Sequence, residues 1–260
     1  MTATESPTAG SHGAGAAGAL RRFRPSPWYF ALVSVALVLA GVFAYVGVER
    51  HNVTTYSSLR PSGIPANVST STAALMGLSP IPHSPAPAFT LTDQNGRTMS
   101  LSSFRNHAVV LEFMDPHCVD VCPIVSQEFV DAYHDLGKEA KHVVFLAINV
   151  NQYYASVANM ATFSRQHGLD AIPSWHFFTG PVSTLRKLWK AYGIEVSAPN
   201  PNADIVHTSI IYFIGRNGLE RYNASPLVDH TKAGKAFLPA PTMQTWGEGI
   251  ARVARDTLRA

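Results

Sequence analysis

Cysteine and charge are both scarce in this chain of 260 residues, which has two cysteines and 14% charged residues. Globular domains usually carry about a quarter charged residues, so some uncharged, apolar part must lower the average. Two cysteines are too few to staple a chain of this length with disulfides. They also cannot supply a structural zinc site built from two separated cysteine pairs. The cysteines are therefore either inert or part of one reactive site.

Basic charge shows no excess either. Twenty Lys and Arg side chains stand against seventeen Asp and Glu; residues 1–50 hold four Arg and two Glu, which leaves sixteen against fifteen. A nucleic-acid-binding domain normally carries a basic surface. The charge balance therefore predicts that no nucleic acid is a partner.

One uncharged run, residues 28–48, accounts for much of the apolar excess. A helix of that length spans about 30 Å, the thickness of a bilayer core. Arg21, Arg22 and Arg24 precede the run, and the positive-inside rule then places the N-terminus in the cytoplasm and the rest of the chain outside. A cleaved signal peptide is the alternative, but its apolar region would be only about 7–15 residues long. We predict an uncleaved transmembrane helix and a single-pass cell-membrane protein.

Composition divides the rest of the chain into three parts. Residues 1–27 are rich in Gly, Ala and Ser, which predicts a disordered cytoplasmic tail. Residues 49–84 are rich in Ser, Thr and Pro, which predicts an extracytoplasmic linker. Residues 85–260 have the alternating hydrophobic pattern of a folded domain.

Strands and helices alternate in the predicted domain. The predicted elements are a hairpin at 89–101, strands at 108–114, 142–149, 174–178, 208–214 and 219–222, and helices from 123 to about 140 and at 155–167, 182–192 and 242–258. Such alternation indicates an α/β layer structure, and the late hairpin makes its central sheet mixed. The order is typical of a thioredoxin-like fold.

Cys118 and Cys122 lie where the strand at 108–114 gives way to a helix. Free N–H groups at a helix N-terminus stabilise a thiolate, and a spacing of four residues places both side chains on one face. The pair can therefore form a disulfide or share a metal. Free cysteines are often buried without any role, but this position in an extracytoplasmic domain favours a functional pair.

Two thiolates and one imidazole form a soft donor set that suits copper, above all Cu(I). In a thioredoxin-like sheet the loop before the strand at 208–214 faces the cysteine turn, and His207 stands in that loop. A lone histidine at a strand end is more often a hydrogen-bonded surface or core residue. His117 is a second candidate, either as a ligand or as a group that lowers the thiol pKa. Asp120 suits a helix N-terminus as an acidic residue.

These segments together resemble the Sco/SenC family of copper-binding, thioredoxin-like proteins. The resemblance rests on Phe113, Cys118–Pro123, Trp175–Gly180, Val206–Ser209 and Tyr212–Ile214. The family's Cys-Pro-Asp-x-Cys-Pro has Val119 in place of its first Pro, and its Asp-His-Ser has Val206 in place of Asp. Residues 115–117 replace a Tyr/Phe-Thr pair, and residues 150–154 replace an acidic segment.

The resemblance implies a copper chaperone that delivers copper to, or matures, the copper site of a cytochrome oxidase. It implies Cys118, Cys122 and His207 as ligands of copper, as Cu(I), Cu(II) or both, and the oxidase copper-site subunit as partner. It identifies neither the copper donor nor the thiol reductant. A metallochaperone is favoured over an enzyme. The alternative is a membrane-tethered thiol-disulfide reductase in which Cys118 attacks and Cys122 resolves, and a redox-sensing binding module is a third hypothesis.

Overall fold

The computed structural model describes residues 61–259 and, nearer the N-terminus, residues 28, 32 and 34–44. Those N-terminal positions are helical and their side chains are exposed. Within the described residues, no helix combines the length and the apolar character needed to cross a membrane. The predicted tail and the other positions of the predicted transmembrane helix lie outside the described residues.

The compact unit Ser57–Ala260 alternates strands and helices in its described part. Helices α1 to α5 span Thr70–Leu75, Val121–Leu136, Val157–Gln166, Val182–Ala191 and Ala240–Leu258. Strands β1 to β12 span Ser79–Pro80, Thr90–Thr92, Thr98–Ser100, Ala108–Met114, Val143–Asn149, Trp175–Phe178, Val196–Ser197, Val206–His207, Ile211–Ile214, Glu220–Ala224, Asp229–His230 and Ala236–Phe237. Short 3-10 helices lie at Leu101–Phe104, Gly137–His142 and Leu169–Ala171.

Six strands form one mixed sheet in the order β1-β10-β9-β4-β5-β6. Strands β4, β5 and β6 run parallel, whereas β9 pairs antiparallel with β4 and with β10. Val110 in the centre of β4 pairs with Phe145 on one side and with Phe213 on the other. Every residue of β4 and β5 is buried, as expected for strands covered by helices on both faces. The mixed α/β sheet predicted from the sequence is confirmed.

Helices cover the two faces of this sheet and enclose two hydrophobic cores. On one face α2 and α5 pack together, with Phe129 and Trp246 fully buried. On the other face α4 contributes Leu185 and Trp189. Full burial of one such side chain contributes about 1.5–3 kcal/mol, so these contacts hold the helices against the strands.

Part of the segment predicted to be a linker packs onto the domain. Ser69 caps α1 by accepting the N–H of Thr72 at 3.0 Å. Val68 and Met76 are fully buried, and β1 pairs with β10 at the edge of the main sheet. The folded unit therefore includes residues whose composition is that of a linker, because a few apolar side chains at suitable spacing are enough to dock a short helix.

Candidate metal and thiol site

The two cysteines lie where the sequence places them, at the junction of β4 and α2. Cys118 is in the connecting loop and is half-buried, whereas Cys122 is in the first turn of α2 and is 2% exposed. Both are free thiols. The loop is short: α2 begins seven residues after β4 ends. Cys118 therefore stays close to the N-terminus of α2.

Hydrogen bonds make the two sulfur atoms chemically different. The Cys118 Sγ accepts the backbone N–H groups of Asp120 and Cys122, each at 3.4 Å. A hydrogen bond from the Cys122 thiol, aided by these N–H groups and opposed by burial, lowers the pKa of Cys118 to about 7. The same thiol hydrogen bond, together with burial, raises the pKa of Cys122 well above its ordinary value. Cys118 is therefore the thiolate and the accessible nucleophile of the pair.

Cys118 and His207 both line one cavity of about 670 Å³. The Nδ1 atom of His207 is 2.9 Å from the carbonyl oxygen of Thr208. This contact assigns the ring proton to Nδ1 and leaves the Nε2 lone pair available to a ligand. Burial lowers the pKa of His207 below its ordinary value, so the ring is neutral near pH 7.

The three predicted copper ligands are not gathered into one coordination sphere. Across the residues that the structure describes, no three His, Cys, Asp or Glu side chains are close enough to hold a metal ion. Cys122 is buried and does not line the cavity shared by Cys118 and His207. The donor types fit Cu(I), since two thiols and a neutral imidazole are soft ligands. Binding by all three would require movement of the cysteine loop or of residues 201–207.

The loop before Cys118 is braced by the segment after β5. One Asp115 carboxylate oxygen accepts the N–H of His117 at 2.8 Å and the side-chain amide of Asn151 at 2.9 Å. The His117 ring stacks on Tyr154 with ring centroids 3.7 Å apart. His117 is thus placed by stacking, and its direct role as a copper ligand stays a prediction.

Two buried carboxyl groups were not singled out from the sequence. Glu112 accepts a hydrogen bond from the Ser209 hydroxyl at 2.8 Å, and burial raises the pKa of Glu112 to about 8. Burial also raises the pKa of Glu128 well above its ordinary value. Among the described residues, one oxygen of Glu112 and both of Glu128 have no hydrogen-bond partner. A signal for Glu112 was available, because it is the one charged residue in the apolar run of β4.

Solved structures of other proteins share this fold. The structure is similar to that of ScoI from Bradyrhizobium japonicum with copper bound, with a TM-score of 0.53 and 22% identity over 67% of this chain and 99% of that one. It is also similar to BsSco, described with a disulfide switch and as a member of the Sco family of cytochrome c oxidase assembly proteins. That match has a TM-score of 0.52 and 18% identity over 70% of this chain and 96% of that one. At these identities the likeness shows the thioredoxin-like fold.

Sequence comparison identifies the family. The SCO1 protein homolog of Bacillus subtilis is 24% identical over 139 residues, which are 52% of this chain and 72% of that protein. The SCO2 homolog of Bos taurus mitochondria is matched over only half of its own length. A family model described as SCO1/SenC matches residues 82–232, which is more than half of the chain. The chain therefore belongs to the SCO1/SenC family.

Proposed function

We propose that this protein is a membrane-anchored, extracytoplasmic copper chaperone that delivers copper to the copper site of a cytochrome oxidase. The observation that carries the proposal is the cavity that the stabilised sulfur of Cys118 and the neutral ring of His207 both line. Two structural relatives support it, one solved with copper bound and one assigned to a family of oxidase assembly proteins.

In the proposed mechanism copper is the cargo, and each donor of the chain has its own part. Cys118 binds first, because its thiolate is accessible and already stabilised by two backbone N–H groups. Cys122 becomes a ligand when it gives up its proton to solvent, and His207 completes the set through Nε2. Donors of the acceptor protein then replace these ligands one at a time. Binding requires the reduced thiols, so copper loading is linked to the redox state of the pair.

The proposed membrane location rests on the sequence. The uncharged run at 28–48 is long enough for one span, and the arginines before it favour a cytoplasmic N-terminus. A thiol reagent that cannot cross membranes should therefore label Cys118 in intact cells. Labelling only after the cells are lysed would contradict the location and leave the chemistry of the site untouched.

Copper binding by the reduced full chain tests the proposal directly. We expect Cu(I) to bind in a competition assay against a Cu(I) chelator, and Cys118→Ser or Cys122→Ser to abolish stable binding. Removing a residue that only hydrogen-bonds to a metal ligand lowers metal affinity by about tenfold or more. His207→Ala removes a proposed ligand itself, so it should weaken Cu(I) binding by at least about tenfold. His142 is exposed and lies on the 3-10 helix after α2, so His142→Ala is the matched control and should bind as the unaltered chain does. A reduced chain that binds no Cu(I), or His207→Ala that binds it unchanged, refutes the proposal.

The difference between the two thiols also favours a second candidate, a thiol-disulfide reductase. The Cys118 thiolate would attack one sulfur of a partner disulfide and release the other as a thiol. Cys122 would then attack Cys118, lose its proton, form the Cys118–Cys122 disulfide and release the partner fully reduced; an external dithiol must restore the pair. This activity needs no imidazole, so reduction of a partner disulfide that survives His207→Ala would favour it over the chaperone.

A further inference from the structure

His207 belongs to a small hairpin that is separate from the main sheet. Strand β8, which ends at His207, pairs with β7 in a two-stranded sheet of its own. The chain joins the main sheet at β9, whose ladder with β4 includes the pair Tyr212–Leu111. Residues 208–210 link β8 to β9 and are not in a strand. The position of the histidine relative to the cysteine loop therefore depends on how this link is held.

Glu112 holds the link from the strand that leads into the cysteine loop. The Ser209 hydroxyl donates to one carboxyl oxygen of Glu112 at 2.8 Å. Glu112 directly follows Leu111, so this bond continues the contact between the two segments beyond that ladder pair. The carboxyl is 1% exposed, and a hydrogen bond at a buried polar group is costly to break. The bond is therefore a fixed point between β4 and the link.

The peptide group next to Ser209 is the one that orients the His207 ring. The carbonyl of Thr208, which is bonded to the Ser209 nitrogen, lies 2.9 Å from His207 Nδ1. A carbonyl that accepts the Nδ1–H of a ligand histidine fixes its tautomer and the direction of Nε2. Rotation of this peptide group would move Ser209 against its bond to Glu112. Two hydrogen bonds in series thus connect the central strand to the ring.

We propose that Glu112 is a positioning residue that, through Ser209, holds the His207 ring with the Nε2 lone pair available to copper. The inference rests on the proposed function for the role of His207, but the hydrogen bonds that carry it involve no metal. Among the described residues the second carboxyl oxygen of Glu112 has no hydrogen-bond partner, and burying such a group costs stability. An unbranched apolar side chain such as Met would avoid that cost, so the carboxyl serves the bond to Ser209 and not the stability of the sheet.

The tautomer of His207 in the reduced, copper-free full chain measures this effect. Burial lowers the pKa of His207, so the ring is neutral near pH 7, and nitrogen NMR shifts of labelled histidine distinguish its Nδ1–H form from its Nε2–H form. The His207→Ala spectrum identifies the signal. We expect the unaltered chain to show the Nδ1–H form, and Glu112→Met and Ser209→Ala to lose it in favour of a mixture of both forms.

Two variants serve as controls. Glu112→Gln keeps an oxygen that can accept the Ser209 hydroxyl, so it should retain the Nδ1–H form. Glu220→Met removes another Ser–Glu hydrogen bond, the one from Ser84, and Glu220 pairs with Ile214 at the end of β9 away from His207. Glu220→Met should therefore leave the His207 tautomer unchanged. Ser209 is only half-buried, so Ser209→Ala decides the outcome if Glu112→Met does not fold.

Copper affinity and stability separate positioning from a general loosening of the sheet. Groups that orient a metal ligand contribute about tenfold or more to affinity, so Glu112→Met and Ser209→Ala should each weaken Cu(I) binding by about tenfold. In a His207→Ala background neither change should have a further effect, because no ring remains to be positioned. In urea unfolding near pH 7, Glu112→Met should be no less stable than the unaltered chain.

An Nδ1–H form that survives in both Glu112→Met and Ser209→Ala overturns the inference. A loss of affinity that is as large in the His207→Ala background as in the unaltered one also overturns it. The inference and the proposed function fail separately: the tautomer can change in a chain that binds no Cu(I), and Cu(I) can bind in a chain whose tautomer does not change.

Discussion

Replacement of Glu112 by Gln should remove a pH dependence from the stability of the domain. The Glu112 carboxyl is 1% exposed in the middle of β4, and burial raises its pKa from 4.5 to about 8. In the unfolded chain the same group ionises near pH 4.5. Between these two values the folded state therefore holds a proton that the unfolded state has lost, and stability falls as the pH rises. Gln has almost the same shape and does not titrate.

The size of the effect follows from the two pKa values. A shift from 4.5 to about 8 corresponds to about 5 kcal/mol in total, at 1.36 kcal/mol for each pH unit. By pH 7 about 3 kcal/mol of that stability has been lost, and the loss is complete a little above pH 8. The Gln amide keeps the bond to Ser209 and places an NH2 group where the unaltered chain already has an unpartnered oxygen, so any cost of the replacement is independent of pH. The test is therefore how the difference in free energy of unfolding between the two chains changes with pH.

Urea unfolding of the two chains, followed by tryptophan fluorescence, measures this difference. The free energy of unfolding of Glu112→Gln minus that of the unaltered chain should rise by about 3–4 kcal/mol from about pH 5 to about pH 8. Glu195 is exposed, so Glu195→Gln is the matched control and should show a flat difference. A flat difference for Glu112→Gln as well would mean that the carboxyl ionises normally, and the account of its burial would be wrong.

Two further predictions concern the cysteine pair and the packing of α2 on α5. In the reduced chain near pH 7, iodoacetamide should label Cys118 and spare Cys122, because their pKa values differ and only Cys118 is accessible. Peptide mass spectrometry measures the labelling of each cysteine, and equal labelling would contradict the assigned roles. Gly247→Ala should destabilise the domain by about 1–3 kcal/mol, since the new Cβ would lie 2.7 Å from the Asp131 Cβ at the helix contact. Gly249→Ala would place its Cβ 2.4 Å from the sulfur of the buried Met76 and 3.0 Å from a Thr72 methyl in α1, so it should destabilise the domain by a similar amount. A thermal-unfolding midpoint that is unchanged in Gly247→Ala would refute this reasoning.

Strands and helices can be predicted from the sequence where buried apolar residues recur at a regular spacing. Contacts between segments that are distant in the chain cannot be predicted in this way. The strand at 108–114 has the predicted bounds because its apolar run is continuous. Its charged member, Glu112, was visible but was not recognised as buried. Glu128 carries no such signal, because a charge on a helix is normally assigned to the solvated face. His230, in β11, contacts the Asp120 carboxylate, which lies 110 residues earlier in the chain. No local sequence pattern signals a contact between segments that far apart.

Two of the segments that differ from the family pattern lie against each other. Asp115 belongs to residues 115–117, which replace the family's Tyr/Phe-Thr pair before the first cysteine. Asn151 belongs to residues 150–154, which replace the family's acidic segment. Their side chains are hydrogen-bonded at 2.9 Å, and both residues are at most 5% exposed. A buried carboxylate or amide that loses a hydrogen bond is destabilised, so this bond holds the two segments together. The Asp115 backbone also braces the loop, because its carbonyl accepts the Cys118 N–H at 3.1 Å.

The remaining two differences, Val119 and Val206, act at the rim of the cavity and leave its donors in place. Val119 is 88% exposed and Val206 is 69% exposed, so neither side chain is needed to hold the chain path beside it. Each stands next to a proposed ligand, Cys118 or His207, and both line the cavity that those ligands share. Val206 in place of an aspartate removes a charge from this rim, whereas Val119 in place of a proline exchanges one uncharged side chain for another. The surface offered to a docking protein is therefore less charged. We therefore expect Val206→Asp to alter transfer of copper to an acceptor more than it alters the affinity of the chain for Cu(I); an equal loss in both would place Val206 in the coordination chemistry itself.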